Sequence, residues 1–244
     1  YYLLYKGEKS ELYCINSSSP LIFDPTDLEL LDSCYYLGYG FGGMKVGLFQ
    51  SQDNCDLSEV LSIAYGEINK FGEDSFVGEI RNELKIMTKS NEMMTDSNYV
   101  SISPLHNGYA LAMKETGVGY LNSQAEEVID FQYEPYMGIM SSGLFYEGYA
   151  IVKSDGLFGI IDTAGNYKIS AQYKQLIRLE GLYGSRQGDH WSILSLTKDS
   201  ITPALFASID ALGDGFVLYK ENGKYGMMDA EMNAILPPVY RVIK

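Results

Sequence analysis

Short runs of apolar residues, each closed by a polar one, recur along the whole chain. Seven five-residue windows share the pattern: Leu12 to Asn16, Val46 to Gln50, Leu84 to Thr88, Val118 to Asn122, Phe158 to Asp162, Trp191 to Ser195 and Tyr225 to Asp229. Columns one, three and four are apolar in every window, and column five is polar in every window. With 46% of the residues apolar, 21 apolar hits in a row have a chance on the order of 10⁻⁷. The second positions lie at 13, 47, 85, 119, 159, 192 and 226, giving spacings of 34, 38, 34, 40, 33 and 34 residues. The chain is a tandem repeat.

Two further landmarks keep the same register. Eleven residues before the second position stands a Gly behind an acidic or amide residue, as at Asn107-Gly108, Glu147-Gly148, Glu180-Gly181 and Asp214-Gly215. Glu73-Asp74 keeps the place without the Gly, and at Tyr36 the landmark is lost. Fourteen residues after the second position comes a Tyr, at Tyr133, Tyr173 and Tyr240, delayed to Tyr65 in the second unit.

Between the landmarks the residues are those of strands and tight turns. Tyr149 to Lys153 is β-prone and runs into Asp155-Gly156, a two-residue hairpin signal. Phe158 to Asp162 returns as a second strand, Thr163 to Asn166 turns again, and Tyr167 to Ser170 forms a third. The last unit repeats the plan with Asn222-Gly223 in its first turn and Pro237-Pro238 in its third strand. Each unit is therefore expected to be a three-stranded antiparallel meander of about 35 residues followed by a connector. The expected fold is all-β, a tandem and open or twisted array of about seven such units. A closed β-propeller is the alternative, but its blades take about 40 residues and four strands.

The central strand is apolar at three of four consecutive positions, so neighbouring units must cover both of its faces. Gly is frequent in column two, but Tyr13, Lys85 and Ser192 share that column and exclude a strict positive-φ site. Close packing against a bare backbone is the reading that remains.

These residues resemble the WG-repeat (KWG) proteins of bacteria. That unit runs Glu-Gly-x-Ala-x-Val, a turn, Lys-x-Gly-Lys-Trp-Gly-Tyr-Ile-Asp, a Gly turn, and Val-Ile-x-Pro-x-Tyr. Glu147 to Lys153, Phe158 to Asp162 and Gly165 to Tyr173 follow it closely. Lys220 to Asp229 with Pro237 to Tyr240 does so as well, and the sixth unit keeps Trp191 but has Ser192 for the Gly. The match divides the array into well-formed repeats over 105–244 and degenerate ones with an N-terminal cap over 1–104. The resemblance implies a bacterial source and an exported or membrane-anchored setting. It carries no shared activity, catalytic residue or cofactor.

Composition narrows the function classes. Eighteen basic against 32 acidic side chains give a net charge of −14. Phosphate backbones and anionic lipid headgroups repel such a chain, so nucleic acid and direct membrane insertion are not expected. No apolar run approaches the ~18 residues of a spanning helix, and no signal-peptide pattern opens the numbering. Cys14, Cys34 and Cys55 have no metal-like spacing and read as small buried hydrophobes, with one pair among them left open. The expected setting is extracytoplasmic or at the cell surface, with the cytoplasm as alternative.

Catalytic signatures are sparse. His106 and His190 stand 84 residues apart in turn positions, and no nucleophile elbow, phosphate loop or dinucleotide fingerprint occurs. Cys14 or Cys55 paired with His106 is the weak nucleophile candidate. Glu126, Glu127 and Asp130 offer an acid/base pair but read as a solvated turn and strand edge. Asp162 and Asp229 read as Asx turns, not calcium ligands, and Asp210 to Gly215 as a connector. No metal or cofactor is expected.

The 21 tyrosines divide between repeat columns, where they pack, and connectors, where Tyr35, Tyr36, Tyr39, Tyr136 and Tyr146 are expected to be exposed. Tyr35, Tyr36 and Tyr39 in the long connector form the candidate contact surface, since exposed aromatics bring large area at low entropy cost. The function expected is a non-catalytic scaffold or binding module for a protein or carbohydrate partner. The rival is an envelope glycan hydrolase using a carboxylate pair.

Overall fold

The computed structural model describes residues 2–6, 9–13, 27–32, 35–39, 45–51, 57–81, 83–95, 99–136, 138–186 and 188–242. The three cysteines lie outside them. Within the described residues the chain is all-β, with one helical turn, α1 (Ile139–Ser142).

Seven antiparallel sheets follow one another in chain order. The first pairs β1 (Tyr2–Lys6) with β2 (Lys9–Tyr13). The second holds β3 (Asp27–Asp32), β4 (Tyr35–Tyr39), β5 (Val46–Ser51) and β6 (Leu57–Tyr65). The third holds β7 (Ile68–Lys70), β8 (Ser75–Ile80) and β9 (Glu83–Thr88). The fourth holds β10 (Ser101–Ile102), β11 (Tyr109–Lys114), β12 (Gly117–Asn122) and β13 (Glu127–Tyr133). The fifth holds β14 (Tyr149–Ser154), β15 (Leu157–Asp162) and β16 (Tyr167–Tyr173). The sixth holds β17 (Gln175–Arg178), β18 (Tyr183–Arg186), β19 (Trp191–Ser195) and β20 (Ser200–Ile201). The seventh holds β21 (Ser208–Gly213), β22 (Phe216–Glu221), β23 (Lys224–Asp229) and β24 (Ala234–Tyr240). Two compact units divide the chain, Tyr1–Asp130 and Phe131–Lys244.

Six of the seven sequence windows coincide with a strand: β5, β12, β15, β19 and β23 are inner strands, whereas β9, expected to be central, is the edge strand of the third sheet. The first begins at Leu12, at the end of β2, and its last three residues lie outside the described ones. Four of the sheets add a strand to the expected three. In the second and seventh sheets it comes from segments read as connectors, Asp27–Asp32 and Ser208–Gly213. Both leave room for pairing because a β-bulge takes up the mismatch, at Leu30/Asp32 and Ala211/Gly213. The fourth strand gives these units the strand count of a propeller blade.

Turn chemistry fixes the registers. Asp155-Gly156 and Asn222-Gly223 both have positive φ at the two central positions, 50° and 76°, 49° and 77°. Type I′ geometry needs this, and it matches the twist of the strands it joins. The Asn107-Gly108 and Glu147-Gly148 landmarks are turns of the same kind, closing His106 on Tyr109 and Tyr146 on Tyr149. Column five serves the other turn. Asp162 Oδ1 accepts from the amides of Ala164 (3.0 Å) and Asn166 (2.9 Å), and Asp229 Oδ1 from Glu231 (3.0 Å) and Asn233 (2.8 Å). Asn122 and Thr88 do the same for their own turns. A polar column five is therefore a capping column.

Columns three and four face opposite ways, as alternation along a strand requires. In column three, Leu48 packs toward Phe76 of the third sheet, Ile160 toward Leu176 of the sixth, and Ile193 toward Ile209 and Val217 of the seventh. In column four, Met87 packs back on the second sheet, Leu194 on the fifth and Met228 on the sixth. β19 is thus buried on both faces, by the seventh sheet on one and the fifth on the other. Column two is close-packed: at Gly159 a Cβ would lie 2.7 Å from the Ile169 carbonyl oxygen, and at Gly226 2.5 Å from the Tyr219 ring. Neither glycine has positive φ.

Candidate functional site

Each compact unit carries a groove beside column-one residues. In the first unit a groove of about 750 Å³ is lined by Glu67, Glu79, Glu83, Leu84, Tyr99, Lys114 and Glu115, among others. Its cation is engaged: Lys114 donates to Glu127 Oε1 and lies 5.3 Å from the Tyr99 ring centroid. Glu67, Glu83 and Glu115 are exposed and Glu79 is half-buried. The groove is acidic and wet. A general acid needs a carboxyl taken out of water, and of these four only Glu79 is withdrawn from it in part.

In the second unit a groove of about 740 Å³ has a different chemistry. Phe158 and Trp191 occupy column one of β15 and β19, so the repeat itself brings two aromatic side chains to the same groove. Tyr136 meets Phe158 edge-on, ring centroids 5.0 Å apart at 86°. Its hydroxyl donates to the Ile151 carbonyl (3.1 Å) and accepts from Ser142 Oγ (3.0 Å). Burial pushes the Tyr136 phenol up, against the opposing effects of the Ser142 hydrogen bond and Arg178.

Three cations stand at this groove and its rim. Arg178 Nη2 donates to the carbonyls of Leu144 (3.1 Å) and Tyr149 (3.5 Å), and its guanidinium lies 4.0 Å from the Tyr146 ring centroid. Its Nε–H is buried without an acceptor. Arg186 donates to Gly188 O (2.9 Å) and Gln175 Oε1 (3.3 Å) and lies 5.8 Å from the Trp191 ring. Lys174 is exposed between them and lines both this groove and a shallower pocket with Gln175, Arg186 and Gly188.

The expected contact surface is placed differently. Tyr35, Tyr36 and Tyr39 belong to β4, an inner strand, not to a connector. Tyr35 is only 4% exposed, stacks edge-on against Phe76 at 5.1 Å and donates to Asp74 Oδ1 (3.3 Å). Tyr36 and Tyr39 are half-buried, and Tyr39 donates to Glu29 Oε2 (2.6 Å). The reason lies in the number of residues between paired positions. Tyr39 pairs with Val46 across six residues, whereas Lys153 pairs with Phe158 across four. The two extra residues move the first strand back by two positions, and Tyr35, paired with Gln50, takes the place of Tyr109 and Tyr149.

The other candidates are surface groups or turn residues. Glu126 accepts from Asn122 Nδ2 (2.7 Å), Glu127 from Lys114 and from the Tyr99 hydroxyl (3.5 Å), and Asp130 is exposed. His106 precedes the Asn107-Gly108 turn and His190 is exposed before β19. Among the described residues no three His, Cys, Asp or Glu side chains are grouped to hold a metal ion. The second groove has no local signature, because its residues come from two successive sheets and the segment before the first of them. One signal was present: between 166 and 188 Lys168, Lys174, Arg178 and Arg186 stand against Glu180 alone.

Residues 119–158 match the family model of the WG containing repeat, which agrees with the resemblance carried by the repeat residues. No curated protein matches the chain. Among solved structures the chain is similar to Hsv2p of Kluyveromyces lactis (10% identity, 84% of this chain and 74% of that one, TM-score 0.38). It is also similar to virginiamycin B lyase of Staphylococcus aureus, determined as an inactive variant with quinupristin (13%, 94% and 87%, TM-score 0.34). A eukaryotic initiation factor aligns at 11% identity over 96% and 72%, with a TM-score of 0.42. Likeness at this level says nothing of activity.

Proposed function

We propose that this chain is a non-catalytic β-repeat scaffold that binds a protein or glycan partner at the bacterial cell envelope, through the groove of its second unit. The observation that carries the reading is the set of column-one aromatics, Phe158 and Trp191, held half-buried beside Tyr136 at a concave site. Aromatic faces with a few fixed polar groups suit ligand contact, and about 740 Å³ falls within the range of small-ligand pockets. Wet carboxylates in the first unit support a binding role over hydrolysis. The rival reading, a glycan hydrolase, rests on that acidic groove, where Glu79 is the least exposed carboxylate.

Trp191 is the chain's single tryptophan, so its fluorescence reports on the groove alone. Titration with neutral and charged cell-wall oligosaccharides should shift or quench that emission in a saturable way, and Phe158→Ala should weaken the response. A flat emission with every saccharide and with envelope protein extracts would remove the reading. Release of reducing ends from the same saccharides, abolished in Glu79→Gln, would establish the hydrolase instead.

A further inference from the structure

We infer that the groove of the second unit takes an anionic saccharide, one bearing carboxylate or sulfate groups. The inference deepens the binding role proposed above and rests on it. Charge is the ground for it. The chain as a whole is at −14, yet no carboxylate lines this groove or the pocket beside it, while Lys174, Arg178 and Arg186 do. Among the described residues none of these three forms an ion pair, although Lys85, Lys89, Lys114, Lys153, Lys168 and Lys198 all do. Arg178 also lines a pocket with Glu147 and Glu180 beside Tyr146, so Lys174 and Arg186 are the cations that give this groove a local field opposite to the net field.

The cations are also held in place for a ligand. Arg178 is fixed by two backbone carbonyls and the Tyr146 ring, and Arg186 by Gly188 and Gln175. A guanidinium whose geometry is set by neutral acceptors keeps its full charge and loses little freedom on binding. The aromatic wall decides between a sugar and a peptide. Trp191 and Phe158 offer apolar ring surface to a pyranose ring, and the groove volume fits a few rings, not the ~800 Å² per partner of a protein interface.

The test uses the whole chain and Trp191 fluorescence. The probes are a tetragalacturonate, its methyl ester of the same length, a heparin-derived tetrasaccharide and a hexaglutamate peptide. At least one acidic saccharide should bind about tenfold more tightly than the neutral ester, with affinity falling as NaCl rises. Lys174→Ala with Arg186→Gln should lower acidic-saccharide affinity by about tenfold and ester affinity by far less, which removes the preference for acid over ester. Both positions are on the surface, and unchanged far-UV circular dichroism would show the fold intact. Equal binding of ester and acid overturns the inference but leaves the binding role standing. Hexaglutamate matching the better saccharide overturns it in favour of an acidic peptide. Silence with all four probes overturns it, and if neutral cell-wall oligosaccharides are silent too, the binding role falls with it.

Discussion

At the scale of single residues, column five is the most instructive position. Asp229 ends β23 and caps its turn through two amides and the Asn233 side chain (2.9 Å). The Asn233 side-chain bond, then its amide, hold the Asp229 carboxyl below the usual range. A depressed folded value means stability that is present above the ordinary carboxylate value and lost as pH falls through the folded one. Asp229→Ala should therefore lower the melting temperature at pH 7 and have little effect near pH 2, while Asp229→Asn retains most of the cap. Tyr35 supplies a second test. Its ring lies in the core formed with Val46, Leu48 and Phe76. Tyr35→Ser should cost about 3 kcal/mol or more in urea unfolding, and Tyr36→Ser, at a half-buried position, clearly less.

At the scale of strands, the two-faced central strand explains both the sequence pattern and the core. Column three packs forward along the chain and column four backward, so a strand between two sheets buries both. Ile193 is fully buried in this way, whereas Met227, in column three of the last sheet, is half-buried beside the buried Met228. Ile193→Ala should cost about 2–5 kcal/mol, the range for a buried aliphatic truncated in a rigid core. Met227→Ala should cost well under half as much in the same chemical-denaturation measurement. Tyr133 shows what the third-strand landmark does. Burial first, then Tyr167 and Asp162, push its phenol up to about 12 despite the Gln132 hydrogen bond. A raised folded value gives stability that is complete below pH 10 and lost as pH rises toward 12. Tyr133→Phe should flatten the fall in melting temperature across that interval.

At the scale of the whole molecule, charge sets the response to salt. A net charge of −14 repels itself in any compact state. The ion pairs among the described residues are exposed or half-exposed, so salt removes little from them. Raising NaCl from about 0.02 to 0.5 M, where the Debye length falls below ~5 Å, should therefore raise the thermal midpoint. A midpoint that falls with salt would show that specific ion pairs outweigh the net repulsion.

The sequence by itself determined the repeat, the strands that carry it and the turns. Local chemistry is enough for these. Three apolar positions in four, a polar cap at column five and Asn-Gly or Asp-Gly between strands each have one low-energy solution wherever they occur. The delayed Tyr65 shows how far that reaches: it pairs with Val46 as Tyr173 pairs with Phe158 and Tyr240 with Tyr225. What the tertiary structure decided was everything that depends on the spacing between paired positions and on distance in the chain. Two extra residues between Tyr39 and Val46 put Tyr35 into the core instead of on a surface. A bulge turned the segment Asp27–Asp32 into a strand. The groove of the second unit combines Tyr136, Phe158, Arg178 and Trp191, the first and last of them 55 positions apart in the sequence. No local preference encodes their meeting; the stacking of adjacent sheets, with column one at the rim, brings them together.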